Sequence, residues 1–274
     1  MSPEQVTSPR SGRRAVRIGV HLKPQHAEYA DLRRAVAAAE EAGVDLVTTW
    51  DHFYPLTGDP AGEHFESWTM LGAWAQATSR VELGTLVSSV GYRNPDLLAD
   101  MARTLDHVSG GRFILGIGAG WAERDYLEYG YDFGSVGSRL AMLEAALPRI
   151  EARWARLNPA PTRKIPILIG GGGVKKTLRY TARHADIWHG FGTPDELAHK
   201  HAVLDEWCAV EGRDPAAIER ATAADEGPGD RGEQGDALLA AGTTLITVRT
   251  DGPRYDFGPL REWIAWRDER NTPG

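Results

Sequence analysis

The sequence predicts an α/β protein of the (β/α)8 TIM barrel class. Short apolar runs alternate with longer amphipathic segments, and eight such runs can be distinguished along the chain. Strands that alternate with helices pair in parallel, and the helices then cover the sheet. A length of 274 residues suits one such barrel. An open doubly wound sheet is the alternative, and the number of runs together with the length favours the barrel.

The individual elements follow from the spacing of apolar residues and from capping residues. Strands are predicted at residues 16–22, 46–50, 81–88, 113–117, 165–169, 187–189, 218–221 and 244–248. Helices are predicted at residues 31–42, 95–108, 138–154 and 194–211, and a C-terminal helix contains Trp263 and Trp266. The first helix has apolar residues at helical spacing and ends at Gly43. Thr193 or Asp195 caps the fourth.

One barrel domain is predicted over residues 16–274, after a lead-in at residues 1–15 that is expected to be disordered. Residues 225–235 are polar and rich in glycine at a point where a barrel needs a loop or a helix. The last two β/α units are therefore the weakest part of the predicted barrel.

Composition indicates which kinds of binding partner and which cellular compartment to expect. The net charge of −7 argues against a broad nucleic-acid surface. No apolar run is long enough to span a membrane, so no membrane partner is expected. The single cysteine, Cys208, excludes an internal disulfide and is compatible with a reducing cytoplasm, where we expect the protein. Zinc-type spacing of cysteine and histidine is absent, so no metal is expected.

The stretch GRFILGIGAGWAERDY at residues 111–126 places glycines directly after a predicted strand. A dinucleotide fingerprint requires G-x-G-x-x-G, but the third position is occupied by Trp121 or by Glu123, depending on the starting glycine. The spacing therefore excludes that fingerprint. The alternative is a strand exit whose glycines let a flat ring lie close to the backbone.

A second glycine run, IPILIGGGGVKK at residues 165–176, is better suited to an anion. Its glycines follow a buried strand and precede a predicted helix, so backbone N–H groups can surround a phosphate. Lys175, Arg179 and Arg183 recur every four residues, which would put three cations on one helix face. A solvated basic face is the simpler alternative, and the acidic net charge favours the phosphate site.

Asp51 and His52 form the most chemically suggestive pair, because they leave the second predicted strand together. His52 can move a proton near neutral pH, and Asp51 can fix a ring N–H or orient a cofactor. His21 and His189 also end strands and are more simply interpreted as packed histidines. Arg93 is interpreted mainly as part of a turn, within reach of a ligand carboxylate.

Four stretches together resemble the luciferase-like monooxygenase superfamily, and within it the branch of oxidoreductases that use the deazaflavin coenzyme F420. They are LVTTWDHF (46–53), ESWTMLGAWAQATSRVELGTLVSSVGYRNP (66–95), TLDHVSGGRFILGIGAGWAERDYLEYG (104–130) and IPILIGGGGVKKTLRYTARHADIWHGFGTPDEL (165–197). The resemblance implies a luciferase-like TIM barrel with a shortened C-terminal part. It also implies a homodimer.

The resemblance assigns roles to particular residues. It implies that Asp51 and His52 are catalytic, and that a strand bulge, often with a cis peptide, backs the cofactor ring. The cofactor-binding residues that it implies, beside Asp51, are Leu86 and Val87 in the bulge, Ala119, Gly120 and Trp121 in the following turn, and Gly170, Gly171, Gly172, Gly173 and Lys175 in the phosphate loop.

The predicted function is hydride transfer between coenzyme F420 and an unidentified small organic substrate. Relatives that oxidise sugar phosphates carry a glutamate where this chain has Trp121 and a tryptophan where it has Leu56, which argues against a sugar-phosphate substrate. Three alternatives stay open: an FMN-dependent luciferase-like monooxygenase or reductase, a non-catalytic protein that binds F420 or a flavin, and a barrel lyase or hydrolase acting on a phosphorylated substrate.

Overall fold

The computed structural model describes residues 14–272 apart from 226 and 228, so all but the last two residues of the predicted lead-in at 1–15 lie outside the described residues. In the described part of the chain, nine parallel strand segments form one sheet in the order β3-β2-β1-β9-β8-β7-β6-β5-β4. β3 also pairs with β5, which closes the sheet into a barrel. The predicted (β/α)8 barrel is therefore confirmed, and the open sheet is excluded.

The strands lie close to their predicted positions. They are β1 (Arg17–Leu22), β2 (Leu46–Thr49), β3 (Glu82–Thr85), β4 (Ser88–Ser89), β5 (Phe113–Gly118), β6 (Ile167–Gly170), β7 (Ile187–Gly190), β8 (Glu219–Ala223) and β9 (Leu245–Thr250). The predicted strand 81–88 is divided into β3 and β4 by a cis peptide between Leu86 and Val87. Because both halves pair with β5, they occupy one position in the barrel wall.

Helices cover the outside of this barrel. They are α1 (Tyr29–Ala42), α2 (Ser67–Ala77), α3 (Pro95–Ser109), α4 (Glu123–Glu128), α5 (Val136–Trp154), α6 (Thr177–His184), α7 (Pro194–Glu211), α8 (Arg231–Ala240) and α9 (Gly258–Asn271), with a 3-10 turn at Pro215–Ala217. Gly43 ends α1 in the left-handed conformation. Thr193, rather than Asp195, caps α7, because its hydroxyl accepts from the N–H of Glu196.

Apolar side chains form two layers. The larger one lies between the helices and the outer face of the strands and includes Trp74, Trp188 and Trp263. The smaller one fills the barrel interior with Leu46, Ile114, Leu168, Ile187, Ala221 and Leu245, and Leu86 and Val87 pack against it. This plug closes the interior, so the space above it can open only toward the carboxyl ends of the strands.

The C-terminal units, although weakly marked in the sequence, complete the barrel. Asp230 caps α8 by accepting from the N–H of Glu233, and β9 then pairs with both β8 and β1. None of the helices in the described part of the chain has both the length and the apolarity needed to cross a lipid bilayer.

Candidate active site

A cavity of about 600 Å³ opens at the carboxyl ends of the barrel strands. Its wall contains most of the predicted site residues, namely Asp51, His52, Leu86, Val87, Ala119, Gly120, Trp121, Gly170 and Gly171. Gly172, Gly173 and Lys175 are exposed beside it. The strand exits that the sequence pointed to are therefore brought together at one end of the barrel.

His52 is held by Asp125 rather than by Asp51. The Nδ1 atom of His52 lies 2.6 Å from Oδ2 of Asp125 in α4, and the same carboxylate accepts hydrogen bonds from the Tyr92 hydroxyl at 2.8 Å and the Phe53 N–H at 3.3 Å. A carboxylate only accepts, so Nδ1 of His52 carries a proton, and Nε2 is the nitrogen that can exchange one. The carboxylate that contacts the His52 ring is therefore Asp125, and the catalytic roles predicted for Asp51 and His52 stay predictions.

The charge of Asp125 is stabilised by these contacts. Burial alone would raise the pKa of the Asp125 carboxyl, but the hydrogen bonds from His52 and Tyr92 outweigh burial and bring that pKa below its usual range. Burial, followed by the charge of Asp125, raises the pKa of Tyr92, which therefore stays a donor. Asp125 is thus an ionised acceptor that fixes the orientation of the His52 ring.

Asp51 has a different set of partners. It is 1% exposed and accepts from the Ser67 hydroxyl at 3.0 Å, from Trp68 Nε1 at 3.2 Å and from Arg93 Nη1 at 2.5 Å. Asp51 therefore does not hold the His52 ring, which removes the first of its two predicted roles, and its role toward a cofactor stays a prediction. Arg93, which was placed within reach of a ligand carboxylate, is paired with Asp51 and Glu66 instead.

The glycines in and after β5 serve the packing of the barrel wall. A Cβ atom at Gly116 would lie 1.8 Å from the carbonyl oxygen of Thr85, so this glycine lets β3 and β5 approach each other closely. Gly120 has a φ of +82°, and a Cβ there would lie 2.3 Å from the Tyr126 hydroxyl. Trp121 then projects into solvent, 67% exposed, with its ring 5.4 Å from that of His52.

The loop after β6 has the exposed backbone donors of an anion site. Among the described residues, the N–H groups of Gly172, Gly173 and Lys175 have no acceptor. The following helix α6 begins only at Thr177, so Lys175 precedes it. Unpaired N–H groups in front of a helix N-terminus attract a phosphate.

The prediction that Lys175, Arg179 and Arg183 together present three cations to a phosphate is wrong. Arg179 and Arg183 both form ion pairs with Glu211 of α7, and Arg183 also faces Glu144 of α5. These cations are neutralised by neighbouring helices. Of the three, only Lys175 lies in the loop itself.

Two important residues were not assigned from the sequence. Asp125 lies within the glycine-containing stretch, but nothing in its spacing connects it to His52. Lys200 of α7 lies beside the loop after β6, where its Nζ atom would be 3.6 Å from a Cβ at Gly172 and donates to the Phe191 carbonyl at 2.6 Å. The sequence gave no signal for the contact of Asp125 with His52 or for the position of Lys200 beside the loop. Both depend on how separate elements pack against each other.

His21 and His189 line the inner part of the cavity, at 5% and 2% exposure. Nδ1 of His21 lies 3.0 Å from the Thr48 hydroxyl, and Nε2 of His189 lies 3.0 Å from the Thr247 hydroxyl. Burial lowers the pKa of His21 to about 3 and that of His189 to about 4, with nearby positive charges acting in the same direction. Both rings are therefore neutral near pH 7.

Comparisons with known proteins agree on one family for this chain. The family model described as luciferase-like monooxygenase matches residues 15–225. A protein from Mycobacterium tuberculosis named as a putative coenzyme F420-dependent oxidoreductase, Rv3520c, is 31% identical over 260 residues, which cover 90% of this chain and 69% of that protein. The uncharacterized protein Rv0953c of the same organism is 30% identical over 184 residues, 59% of this chain. The match spans 64% of that relative, less than two thirds of its length.

Among solved structures, an F420-dependent secondary alcohol dehydrogenase in complex with an F420-acetone adduct has the same fold. It superposes with a TM-score of 0.79 at 17% sequence identity, over 92% of this chain and 98% of that one. At this identity the match supports the barrel architecture alone.

Proposed function

Because this chain belongs to the luciferase-like monooxygenase family, we propose that it is an oxidoreductase that transfers a hydride between coenzyme F420 and a small organic substrate. One observation carries the proposal. A single cavity contains the His52 ring, oriented by Asp125, and reaches Gly170 and Gly171, which lead into the loop with free N–H groups. A proton-transfer group and an anion cradle thus border one space.

The residues present fit a ring cofactor that carries a phosphate. Val87 packs between two glycines, since a Cβ would approach its side chain to 2.9 Å at Gly118 and to 3.0 Å at Gly170. This leaves a wall of backbone and small side chains on which a flat ring can lie. The N–H groups of Gly172, Gly173 and Lys175 would hold the phosphate, with Lys200 beside them. When bound, F420 accepts or supplies the hydride at C5 of its deazaflavin ring.

His52 would hold or move the balancing proton. Its Nδ1–H donates to Asp125, so Nε2 is the atom free to take a proton from a substrate hydroxyl or, once protonated, to return it to a carbonyl. Trp50 and Trp121 flank the ring at centroid distances of 6.0 and 5.4 Å. Positioning of the substrate in this apolar space would contribute much of the rate.

A titration of the purified protein with F420 and, separately, with FMN tests the cofactor assignment. Quenching of cofactor fluorescence reports binding in both cases. We expect F420 to bind more tightly than FMN, and more tightly than the F420 chromophore that lacks the phosphate. Tighter binding of FMN would move the protein to the flavin-dependent members of the family. Binding of neither would contradict the proposed function.

Assembly and location stay predictions. We propose a homodimer, as the family resemblance implies, and light scattering during size-exclusion chromatography is the measurement that checks it. A mass close to the 30.0 kDa of the chain would contradict the dimer. The predicted cytoplasmic location likewise awaits a test by cell fractionation.

A further inference from the structure

The two histidines on the inner wall of the cavity each contact a threonine hydroxyl, at 3.0 Å in both cases. The Thr48 hydroxyl, which contacts His21, donates its single proton to the Val20 carbonyl at 3.4 Å. The Thr247 hydroxyl, which contacts His189, donates to a strand carbonyl at 3.2 Å. A hydroxyl has one proton, and when that proton goes to the carbonyl the threonine oxygen accepts from the imidazole. This arrangement, which belongs to the inference below, puts the proton of His21 on Nδ1 and that of His189 on Nε2.

The other nitrogen of each ring is then an unprotonated acceptor. Among the described residues, neither Nε2 of His21 nor Nδ1 of His189 has a hydrogen-bond partner. Neither atom is among the fully enclosed polar atoms without a partner, and both rings line the cavity. The neutral state of both rings keeps these lone pairs available. An acceptor that is accessible from the cavity can bond to a ligand that brings a donor.

We infer that the inner wall selects a substrate with several hydroxyl groups, one of which reacts at His52 while others donate to His21 and His189. A hydroxyl supplies the donor that these acceptors lack, whereas a ketone or an ether supplies none. The inference rests on the proposed function for the identity of the reacting group. The placement of the protons does not depend on it.

The remaining lining sets the character of the rest of such a substrate. Leu56, Trp50 and Phe191 supply apolar surface around the mouth. Lys23, whose Nζ donates to Asp251 at 2.7 Å, and Arg249 also border the cavity. Because these two side chains donate and the histidines accept, a hydroxyl group can satisfy both kinds of neighbour. A polyol or a hydroxylated ketone matches this combination better than a hydrocarbon.

Nitrogen NMR of the protein with isotope-labelled histidine tests the proton positions directly. Long-range proton–nitrogen correlations distinguish the two tautomers. They are recorded at a pH above the ordinary histidine pKa of about 6.5, so that the rings are neutral. His201 and His107 calibrate them, because their Nδ1 and Nε2 atoms, respectively, contact backbone carbonyls and must carry the proton. We expect His21 to match His201 and His189 to match His107. A proton on the cavity side of either ring would overturn the inference.

A matched pair of small probes tests the ligand class in the same samples. Propylene glycol carries two hydroxyls, and its dimethyl ether has a similar backbone without a donor. We expect the diol to change the chemical shifts of the unprotonated nitrogens of His21 and His189, and the ether to leave these chemical shifts unchanged. His64, whose Nε2 already accepts from Trp50 at 3.0 Å, serves as the internal control. Equal shifts with both probes, or no shift with the diol, would overturn the selection for hydroxyls.

The two proposals fail in different ways. A protein that binds F420 but carries cavity-side protons on these rings keeps the proposed function and loses the substrate class. A protein with the expected tautomers and diol response that binds no F420 keeps the hydroxyl-selective wall and loses the cofactor.

Discussion

The orientation of His52 depends on a carboxylate that lies 73 residues further along the chain. The 2.6 Å contact to Asp125 fixes which ring nitrogen carries the proton, and Tyr92 and Phe53 hold the carboxylate in turn. Asp125 is therefore a positioning residue, because it acts through the histidine. Its contribution should be visible in the protonation of His52 and in turnover, but not in cofactor affinity.

Replacement of Asp125 by Asn tests this role. An amide can donate to Nδ1, so we expect the His52 proton to move to Nε2. A hydrogen bond to a charged group contributes about 1.5–3 kcal/mol, so turnover should fall by about ten- to a hundredfold, against roughly 10²–10⁴-fold for His52→Ala. Nitrogen NMR of labelled histidine reports the tautomer, and F420 oxidation or reduction reports turnover.

The matched control is Tyr92→Phe, which removes one hydrogen bond from Asp125 and leaves the contact with His52 in place. We expect this variant to keep the wild-type tautomer. A loss of F420 affinity in Asp125→Asn as large as the loss of turnover would show that Asp125 supports the fold of the cavity and not the chemistry.

Asp51 is expected to stabilise the fold, and substitution followed by urea unfolding can measure this role. Asp51→Ala leaves the Arg93 guanidinium, 12% exposed, with Glu66 as its remaining partner. Removing one partner of a buried pair costs about 3–5 kcal/mol, and we expect the lower value because Glu66 remains. Urea unfolding measures the change. Asp96→Ala, which breaks an exposed pair with Arg149, should change stability little. Equal effects of the two variants would contradict a structural role for Asp51.

At the level of single elements, the loop after β6 offers a ligand its backbone N–H groups more than the side chains of the helix that follows. Arg179 and Arg183 are occupied by Glu211, so the stripe of cations predicted from their spacing offers little to a ligand. The spacing placed Arg179 and Arg183 correctly on one helix, whereas Lys175 lies in the loop before it. The sequence could not indicate that α7 places a carboxylate against that face, because this contact is set by how two helices pack.

The loop can be tested by placing a charge in it. Gly172 has room for a side chain, since the nearest atoms to a Cβ belong to Lys200 at 3.6 Å and beyond. Gly172→Asp should weaken F420 binding by about tenfold, because a carboxylate near a phosphate costs on the order of 1–2 kcal/mol at intermediate dielectric. Gly172→Asn, which is similar in size and neutral, is the control.

Fluorescence titration measures both loop variants. The F420 chromophore without its phosphate should bind Gly172→Asp and the wild-type protein equally well. If the two variants bind F420 alike, or if the chromophore is affected as strongly as F420, the phosphate does not lie at this loop.

For the molecule as a whole, the pattern of elements was predictable and the contacts within the site were not. Alternation of strand and helix patterns predicted the barrel, and strand exits predicted which segments meet at its open end. The division of the third strand at Leu86 and Val87 was expected only from the family resemblance. The pairing of His52 with Asp125 and the hydrogen bonds of His21 and His189 depend on side-chain directions across the barrel. No local pattern in the sequence carries that information.

The same buried histidines make the stability of the whole barrel depend on pH. The pKa of His21 is lowered to about 3 and those of His64 and His189 to about 4, chiefly by burial, from an ordinary value of 6.5. Each ring therefore stabilises the fold fully above pH 6.5. That stabilisation is lost as the pH falls toward the folded-state pKa, because the unfolded chain binds a proton that the folded chain excludes.

We expect the free energy of unfolding to decrease as the pH falls from 6.5 toward 4, the window that these pKa values define. Each such histidine adds a slope of about 1.4 kcal/mol per pH unit within it. His189→Asn should reduce the slope by that amount, whereas replacement of the exposed His199 should leave it unchanged. Urea unfolding at several pH values measures both, and because the two variants share every carboxylate, their difference isolates the buried imidazole. Identical slopes would mean that His189 takes up a proton in the folded barrel, which would also remove the acceptor that the cavity wall requires.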